Sequence, residues 1–507
     1  MVARMVSPAL IGLDTATVEV EVDLRAGLPG FSVVGLPDAA VQEARERVRS
    51  GLVNQAFDLP ARRIVANLAP ADLRKGGPQY DLPVALTILS ASGQIRPGAL
   101  AGTGAVGELA LDGALRPVTG AVVMAEHAAR RGWRQLVVPD ANAAEASLVP
   151  GIRVLGARTL RHAVDVLERR ADPVAVRADA ADLLHQAVPE SHGDLAEVRG
   201  QGDARRALEI AAAGGHSLLM IGPPGGGKTM LARRLPGIMP ALQPHEAIAI
   251  TRVHSVAGLL PAGQALVTRR PFRAPHHTIS AAGMVGGGRV PRPGEVTLAH
   301  LGVLFLDEVC AFPPVALDAL RQPLEEGCIE ITRVRGSARF PAEPLLVCAG
   351  NPCPCGHAGD PLRACTCAPA AADAYRSRVS GPIADRIDLR VDIPRLDRDE
   401  MLESRSGGES SASVRLRVEA ARARQHARGQ RGPNARLGAA AAREAADLDR
   451  EGRALLGAAI DRLGLTARGC DRVIRVARTI ADLDASAAVR PPHVAEALRF
   501  RTSGSVA

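Results

Sequence analysis

The chain opens on a pattern of period two. In residues 17–24, Val18, Val20, Val22 and Leu24 alternate with Thr17, Glu19, Glu21 and Asp23, the mark of a strand with one buried face. Residues 31–35, 63–68, 104–109 and 135–139 read as further strands. Between them the period lengthens. Val41, Ala44, Val48 and Leu52 fall at helical spacing behind Asp38, a side chain suited to cap a helix N-terminus. Residues 82–91 and 120–131 predict two more helices. Residues 1–170 are therefore expected to form an α+β unit with mixed strands. Residues 171–195, where periodicity fades, are expected to form a linker with one short helix.

A different pattern follows. A helix over 204–213 leads to the apolar run 218–221, and two further runs come at 302–306 and 345–350. Uninterrupted apolar runs suit strands buried on both faces. They predict an α/β core over 196–395. Within it, residues 245–300 are rich in Gly, Pro, Arg and His and are expected to be irregular and functional. Residues 314–326 read as a helix, and 328–340 as a hairpin turning near Arg335-Gly336. Residues 396–507 predict a helical lid, with helices over 413–428, 439–463, 466–481 and 491–499. Pro491-Pro492 suits the start of the last.

Each apolar run of the core ends in candidate chemistry. The first is followed by Gly222-Pro223-Pro224-Gly225-Gly226-Gly227-Lys228-Thr229, the G-x-x-x-x-G-K-T spacing of a phosphate-binding loop. Glycines let backbone N–H groups turn inward around a polyphosphate. Lys228 adds a point charge, and the Thr229 hydroxyl is suited to ligate Mg2+. The second run ends in Asp307-Glu308, about 80 residues later. Asp307 is suited to hold Mg2+ through water, and Glu308 to polarise the attacking water. The third run ends at Asn351, an amide suited to orient that water. His276 and His277 lack cysteine or carboxylate neighbours at ligand spacing. They are read as positioning a loop near phosphate or nucleic acid rather than as a zinc site. Cys353, Cys355, Cys365 and Cys367 crowd into residues 353–367. They are candidates for a zinc site, with free thiols and disulfides as the alternatives and His357 as an alternate ligand.

Composition narrows the reading. At 507 residues, two to four domains are expected. There is no uninterrupted apolar stretch long enough to span a membrane, and Asp14 and Glu19 come too early for a secretory signal. Eight cysteines do not make a disulfide framework, so a cytoplasmic protein is expected. A net charge of +8 permits a polyanionic partner, while aromatics at 2% argue against base-stacking platforms. Of the 62 basic residues, only Lys75 and Lys228 are lysines. Arginine's planar fork does not replace a compact ammonium in a phosphate cradle, so a lysine retained at 228 supports a phosphate role. Arg333, Arg335 and Arg339 either track a phosphate backbone or form an ordinary exposed basic hairpin. Arg62, Arg63, Arg74 and Lys75 are candidates for a second interaction surface, with a solvated loop as the alternative.

In combination these motifs resemble the AAA+ ATPases of the Mg-chelatase-like family, in its ComM/YifB subgroup. The segments that carry the resemblance are the phosphate loop, Arg270-Pro271-Phe272-Arg273-x-Pro275-His276-His277-Thr278, residues 303–308, Asn351-Pro352-Cys353-Pro354-Cys355-Gly356, and Ser380-Gly381-Pro382-x-x-Asp385-Arg386-Ile387-Asp388. The resemblance implies that ATP and Mg2+ bind, that Asn351 is the sensor-1 residue, that Arg468 is the sensor-2 arginine, and that Arg386 is an arginine finger. A finger of this kind reaches a neighbour's nucleotide, which implies a homo-oligomeric ring, a hexamer. Members similar to ComM imply a ring helicase driving branch migration of DNA in natural transformation, on single-stranded or branched DNA. Chelatase members imply a metal-insertion motor instead, and a nucleotide-switched assembly factor that does not translocate is a third reading. Residues 1–170 resemble the proteolytic domain of Lon-type proteases, the ribosomal S5 domain 2-like fold, over 73–85 and 105–129. The protease would carry a Ser-Lys dyad. Here Gly77-Pro78 is followed by Gln79-Tyr80, and no lysine lies between Lys75 and Lys228, so no proteolysis is expected.

Overall fold

The computed structural model describes residues 2–502 apart from 36–37, 74, 175, 177, 188–192, 289–290, 334–335, 361, 381–382, 384–385 and 396–407. Its first sheet has seven strands. From edge to edge they are Gly30–Val34, Arg63–Ala69, Asp14–Arg25, Val2–Ile11, Thr103–Ala105, Gln135–Pro139 and Arg153–Ala157. Val2–Ile11 and Asp14–Arg25 form an antiparallel hairpin in which Met5 faces Val20, whereas the last three strands pair in parallel. The alternating face behaves as its pattern requires: Val18, Val20 and Val22 are fully buried. Helices Ala39–Asn54 and Asp81–Ala91 contribute Val48, Leu52, Leu86 and Leu89 to the same core. Asp38 caps the first of them, accepting the Val41 N–H at 2.9 Å.

The second sheet is parallel throughout. Its order is Phe272–Arg273, Val303–Leu306, Leu345–Gly350, Leu218–Ile221 and Leu389–Asp392. One apolar cluster runs from this sheet (Leu218, Met220, Val347) into the C-terminal helices (Val473, Ile480, Phe500), so the lid is packed on the core. Those helices are Ser411–Ala427, Ala439–Ala446, Arg450–Leu463, Ala467–Leu483 and Pro491–Thr502. The expected helix 439–463 is broken by Asp447, whose left-handed backbone (φ 42°) ends one segment before Asp449 caps the next.

Three further expectations are corrected. Residues 245–300 are not irregular throughout, since Pro244–Val256 is a helix with a Gln243/Glu246 capping box. Its buried face is small and partly polar (Ala247, Ile250, Thr251, Val253), which hid it beside the Gly/Pro/Arg-rich residues that follow. Residues 314–326 form two short helices, Pro314–Asp318 and Arg321–Glu326. Lys75 is not part of an exposed basic surface. It is fully buried, and its ammonium donates to the Pro70 carbonyl. Burial lowers its pKa. Arg62 and Arg63 are exposed, while Arg74, Arg335 and the side chain of Arg333 lie outside the described residues.

The first sheet's unit is docked on the second. At the turn of the opening hairpin, Gly12 has φ 65°, and a Cβ there would stand 2.7 Å from Ala338 Cβ in the hairpin formed by Cys328–Arg333 and Gly336–Pro341. Ser255 donates to Glu145 at 2.6 Å and accepts the Gly120 N–H at 3.0 Å, while Arg252 and Glu126 pair at 3.2 Å. Burial raises the pKa of the Glu145 carboxyl, against the opposing hydrogen bonds from Ser255 and Asn142.

Candidate active site

Parallel pairing places the candidate residues at one edge of the second sheet. Leu218–Ile221 lies between Leu345–Gly350 and Leu389–Asp392, and Val303–Leu306 lies on the far side of Leu345–Gly350. The three strand ends therefore bring the phosphate loop, Asn351 and Asp307 together in that order, with Asn351 in the middle. Residue types at strand ends specify this constellation only once the strand order is known.

The loop needs its glycines. Gly225 and Gly227 have φ 78° and 86°. A Cβ on Gly222 would stand 2.3 Å from the Ile393 carbonyl oxygen. Lys228 opens the helix Lys228–Ile238 and folds back over the loop. Its ammonium donates to the carbonyls of Gly222 (2.7 Å) and Pro223 (2.9 Å) and to Asn351 Oδ1 (3.2 Å). Burial lowers its pKa, and the nearby Asp307 and Glu308 oppose that shift. Thr229 donates to Asp307 Oδ2 at 2.7 Å. Asp307 also accepts the Glu308 N–H at 3.0 Å, a local bond that fixes the carboxylate at the strand's end. Glu308 itself is exposed and sits at φ 51°, a left-handed conformation that is uncommon for glutamate and concentrated at functional sites. His277 lies beside it, Nδ1 3.9 Å from Glu308 Oε2. The sequence reading, of a His pair that positions a loop near phosphate or nucleic acid, gave no sign of this neighbour.

Arg386 and Arg468 are elsewhere. Arg386 precedes Leu389–Asp392, whose Leu389 and Asp392 are in register with Leu218 and Ile221. At ~3.3 Å per residue, Arg386 therefore lies more than roughly 10 Å from the loop, at the opposite edge of the sheet. Its guanidinium donates to Glu325. Arg468 is exposed in the first turn of Ala467–Leu483, one turn before Arg472, which lies 3.8 Å from Asp388. Both arginines thus belong to the edge that faces away from this chain's own phosphate loop. Of the stretch from Ser380 to Asp388 that carries the resemblance, Gly381, Pro382 and Asp385 lie outside the described residues.

The four cysteines converge. Cys353 Sγ lies 3.4 Å from Cys355 Sγ and 3.6 Å from Cys365 Sγ, and the four sulfurs all fall within 4.8 Å of one another. Tetrahedral zinc with Zn–S bonds of ~2.3 Å needs sulfurs roughly 3.8 Å apart, so the donor set fits that ion. The N–H groups of His357 and Thr366 hold the Cys355 thiol down at about 5. Cys367, although it accepts the Cys355 N–H, is pushed up to about 12 by burial and the neighbouring thiols. Four thiolates so close repel one another unless a cation sits among them. His357 is turned instead toward Asp360, at 3.5 Å. The cysteine loop also touches the phosphate loop. Gly356 has φ 81°, and a Cβ there would stand 2.6 Å from Pro224 Cδ. That contact joins Asn351, the cysteine cluster and the phosphate loop, and nothing in the spacing of the residues signals it.

Comparison with known proteins agrees with the motifs. Models of the magnesium chelatase subunit ChlI match residues 194–401, of subunit ChlI of Mg-chelatase residues 20–142, and of the ChlI C-terminal region residues 408–501. An uncharacterized protein of Mycobacterium tuberculosis is 46% identical over 99% of both chains. The uncharacterized protein YifB of Escherichia coli is 43% identical over 97% of this chain and 96% of its own. Competence protein ComM of Haemophilus influenzae is 42% identical over 98% of this chain and 97% of its own. A partial likeness, 32% identity over 28% of this chain, links it to Lon protease 2 of Bacillus subtilis.

Proposed function

Because the chain belongs to the Mg-chelatase ChlI-like family that includes YifB and ComM, we propose that it is an ATP-hydrolysing ring motor acting on DNA. The observation that carries the ATPase reading is the joint placement of Lys228, Asn351, Thr229 and Asp307 at one sheet edge. Lys228 moves its ammonium from the loop carbonyls to the β- and γ-phosphates. Thr229 and Asp307 are the residues that would hold Mg2+, which supplies charge neutralisation on the phosphates. Glu308 accepts the proton of the attacking water, and Asn351 orients that water.

Arg386 and Arg468 complete the site from a neighbouring subunit. The support is their position at the opposite edge of the sheet, too far to serve their own loop. An active site split in this way requires head-to-tail contacts between copies, and we assign a closed homo-hexameric ring. We read residues 1–170 as an S5 domain 2-like docking unit, 171–195 as a linker, 196–395 as the motor and 396–507 as the lid. Cys353, Cys355, Cys365 and Cys367 are the residues that would hold a structural zinc ion.

The relative named for competence supports DNA as the substrate, and we infer branch migration as the reaction. Among the described residues no helix is long and apolar enough to cross a membrane, and we place the motor in the cytoplasm. The test is ATP turnover with and without a four-way DNA junction, read alongside strand displacement. Turnover that no DNA stimulates, without displacement, would replace the motor by a nucleotide-switched assembly factor.

A further inference from the structure

At the edge of the second sheet away from the phosphate loop, a cleft of about 1050 Å3 lies between the strand starts and the lid helix Ser411–Ala427. Gly302 and Leu345 line it from the core, and Arg422 from the lid. Its charged side chains are Arg270, Arg422, Arg431 and Arg436 against Glu246, Glu343 and Glu419. Two of the arginines are committed. Arg270 donates to Glu246 at 2.9 Å and to the carbonyls of Pro240 and Leu301, and Arg436 pairs with Glu343.

Arg422 is different. Its Nε is shut off from solvent and donates to nothing among the described residues. Its one described hydrogen bond is a long one, 3.4 Å from Nη1 to Gln425 Oε1. Glu419, one turn earlier, makes no ion pair with it and accepts the Ala241 N–H at 3.4 Å. Burial pushes the Arg422 guanidinium down to about 10, with Arg270 and Arg436 adding to the shift and Glu246 opposing it. Arg431, exposed at the rim, likewise has no carboxylate partner among the described residues. A half-buried cation with no carboxylate bonded to it is costly, and a guanidinium lining a concave site is the side chain of choice for phosphate.

We infer that this cleft is a second anion site, built to take a phosphate-bearing small molecule between the core and the lid. The concave shape and volume of the cleft favour a small ligand, since clefts of ~300–1,000 Å3 hold drug-sized molecules. The guanidiniums of Arg422 and Arg431 bind the phosphate group. Arg270 and Arg436, held by their carboxylates, shape the wall. Occupancy ties the lid helix to the strand starts at the edge that carries Arg386.

The test uses the full chain with Lys228→Ala, which silences the phosphate loop, and inorganic pyrophosphate as the probe, without ATP. Calorimetric titration should show saturable binding. Adding Arg422→Gln should weaken it at least about tenfold, the loss of one charge-assisted contact, and Arg431→Gln should weaken it less. Arg431→Gln alone serves if the Arg422 variant fails to fold, because Arg431 is exposed. Absent binding, or binding that neither arginine affects, would overturn the inference. So would dissociation of the oligomer by Arg422→Gln without any pyrophosphate effect, which would assign the counter-charge to a carboxylate of a second copy. The readout needs no hydrolysis, so its failure leaves the ATPase proposal standing.

Discussion

Replacing Lys228 by Met separates the stability of the chain from its affinity for nucleotide. In the structure the ammonium satisfies itself on two carbonyls and one amide oxygen, all neutral. Each such bond contributes about 1 kcal/mol net, and the desolvation that lowers the lysine's pKa acts against them. Met fills the same volume without burying a charge, so the nucleotide-free chain should change in stability by less than about 1 kcal/mol. Binding is another matter. Two contacts to phosphate oxygens at ~1.5–3 kcal/mol each exceed two of the neutral bonds they replace by roughly 1–4 kcal/mol. The dissociation constant for MgATP should therefore rise about 5- to 1,000-fold. Arginine should not rescue it, because its fork does not fit a pocket spaced for one ammonium. Equilibrium titration with a fluorescent ATP analogue, with melting curves in parallel, reads both effects. A dissociation constant within about threefold of wild type would refute the assignment of Lys228 to the phosphates, and a collapse of nucleotide-free stability would show that its main role is structural.

The other expectations concern the neighbour, the metal and the loop contact. Arg386→Ala should retain MgATP binding and lose turnover, and mixing it with a Glu308→Gln variant should restore turnover at mixed interfaces. Failure of every mixing ratio would count against action in trans. Purified protein should carry about one zinc per chain by elemental analysis. Cys365→Ser should release it and lower the melting temperature, whereas metal-free protein of unchanged stability would favour free thiols. Gly356→Ala combines an unfavourable φ with a clash against Pro224 and should cost about 1–3 kcal/mol. It should also weaken MgATP binding, and wild-type affinity in that variant would mean that the cysteine loop and the phosphate loop are independent.

What could be read without coordinates was what local pattern controls. The alternation at Val18, Val20 and Val22, the cap at Asp38 and the apolar runs of the core follow from periodicity and turn chemistry, and the structure reproduces them. The phosphate loop, Asp307 and Asn351 were identifiable because each ends an apolar run. Contacts between segments far apart in sequence were not. Gly356 against Pro224, Gly12 against Ala338 and Ser255 on Glu145 leave no trace in spacing. Short alanine-rich helices such as Asp140–Ala146 lack a periodic face strong enough to stand out.

The misreading of Lys75 sharpens the argument about Lys228. Both lysines of an arginine-rich chain turn out to be buried, and both spend their ammonium on backbone carbonyls. What they share is a carbonyl-lined site that fits a compact ammonium and excludes a planar fork, so retention of lysine marks a geometry before it marks a ligand. The two differ in what surrounds that geometry. Lys75 is enclosed within the first sheet's unit, its ammonium on the Pro70 carbonyl. Lys228 stands at the mouth of a glycine loop, with an exposed glutamate, an Asp-Thr pair and an asparagine close by. The polarity of the parallel sheet then sends Arg386 to the far side, where the lid helix that carries Arg468 meets Asp388. If those arginines serve hydrolysis at all, a second copy of the chain must present its far edge to this loop, and the number of active sites can only equal the number of such contacts.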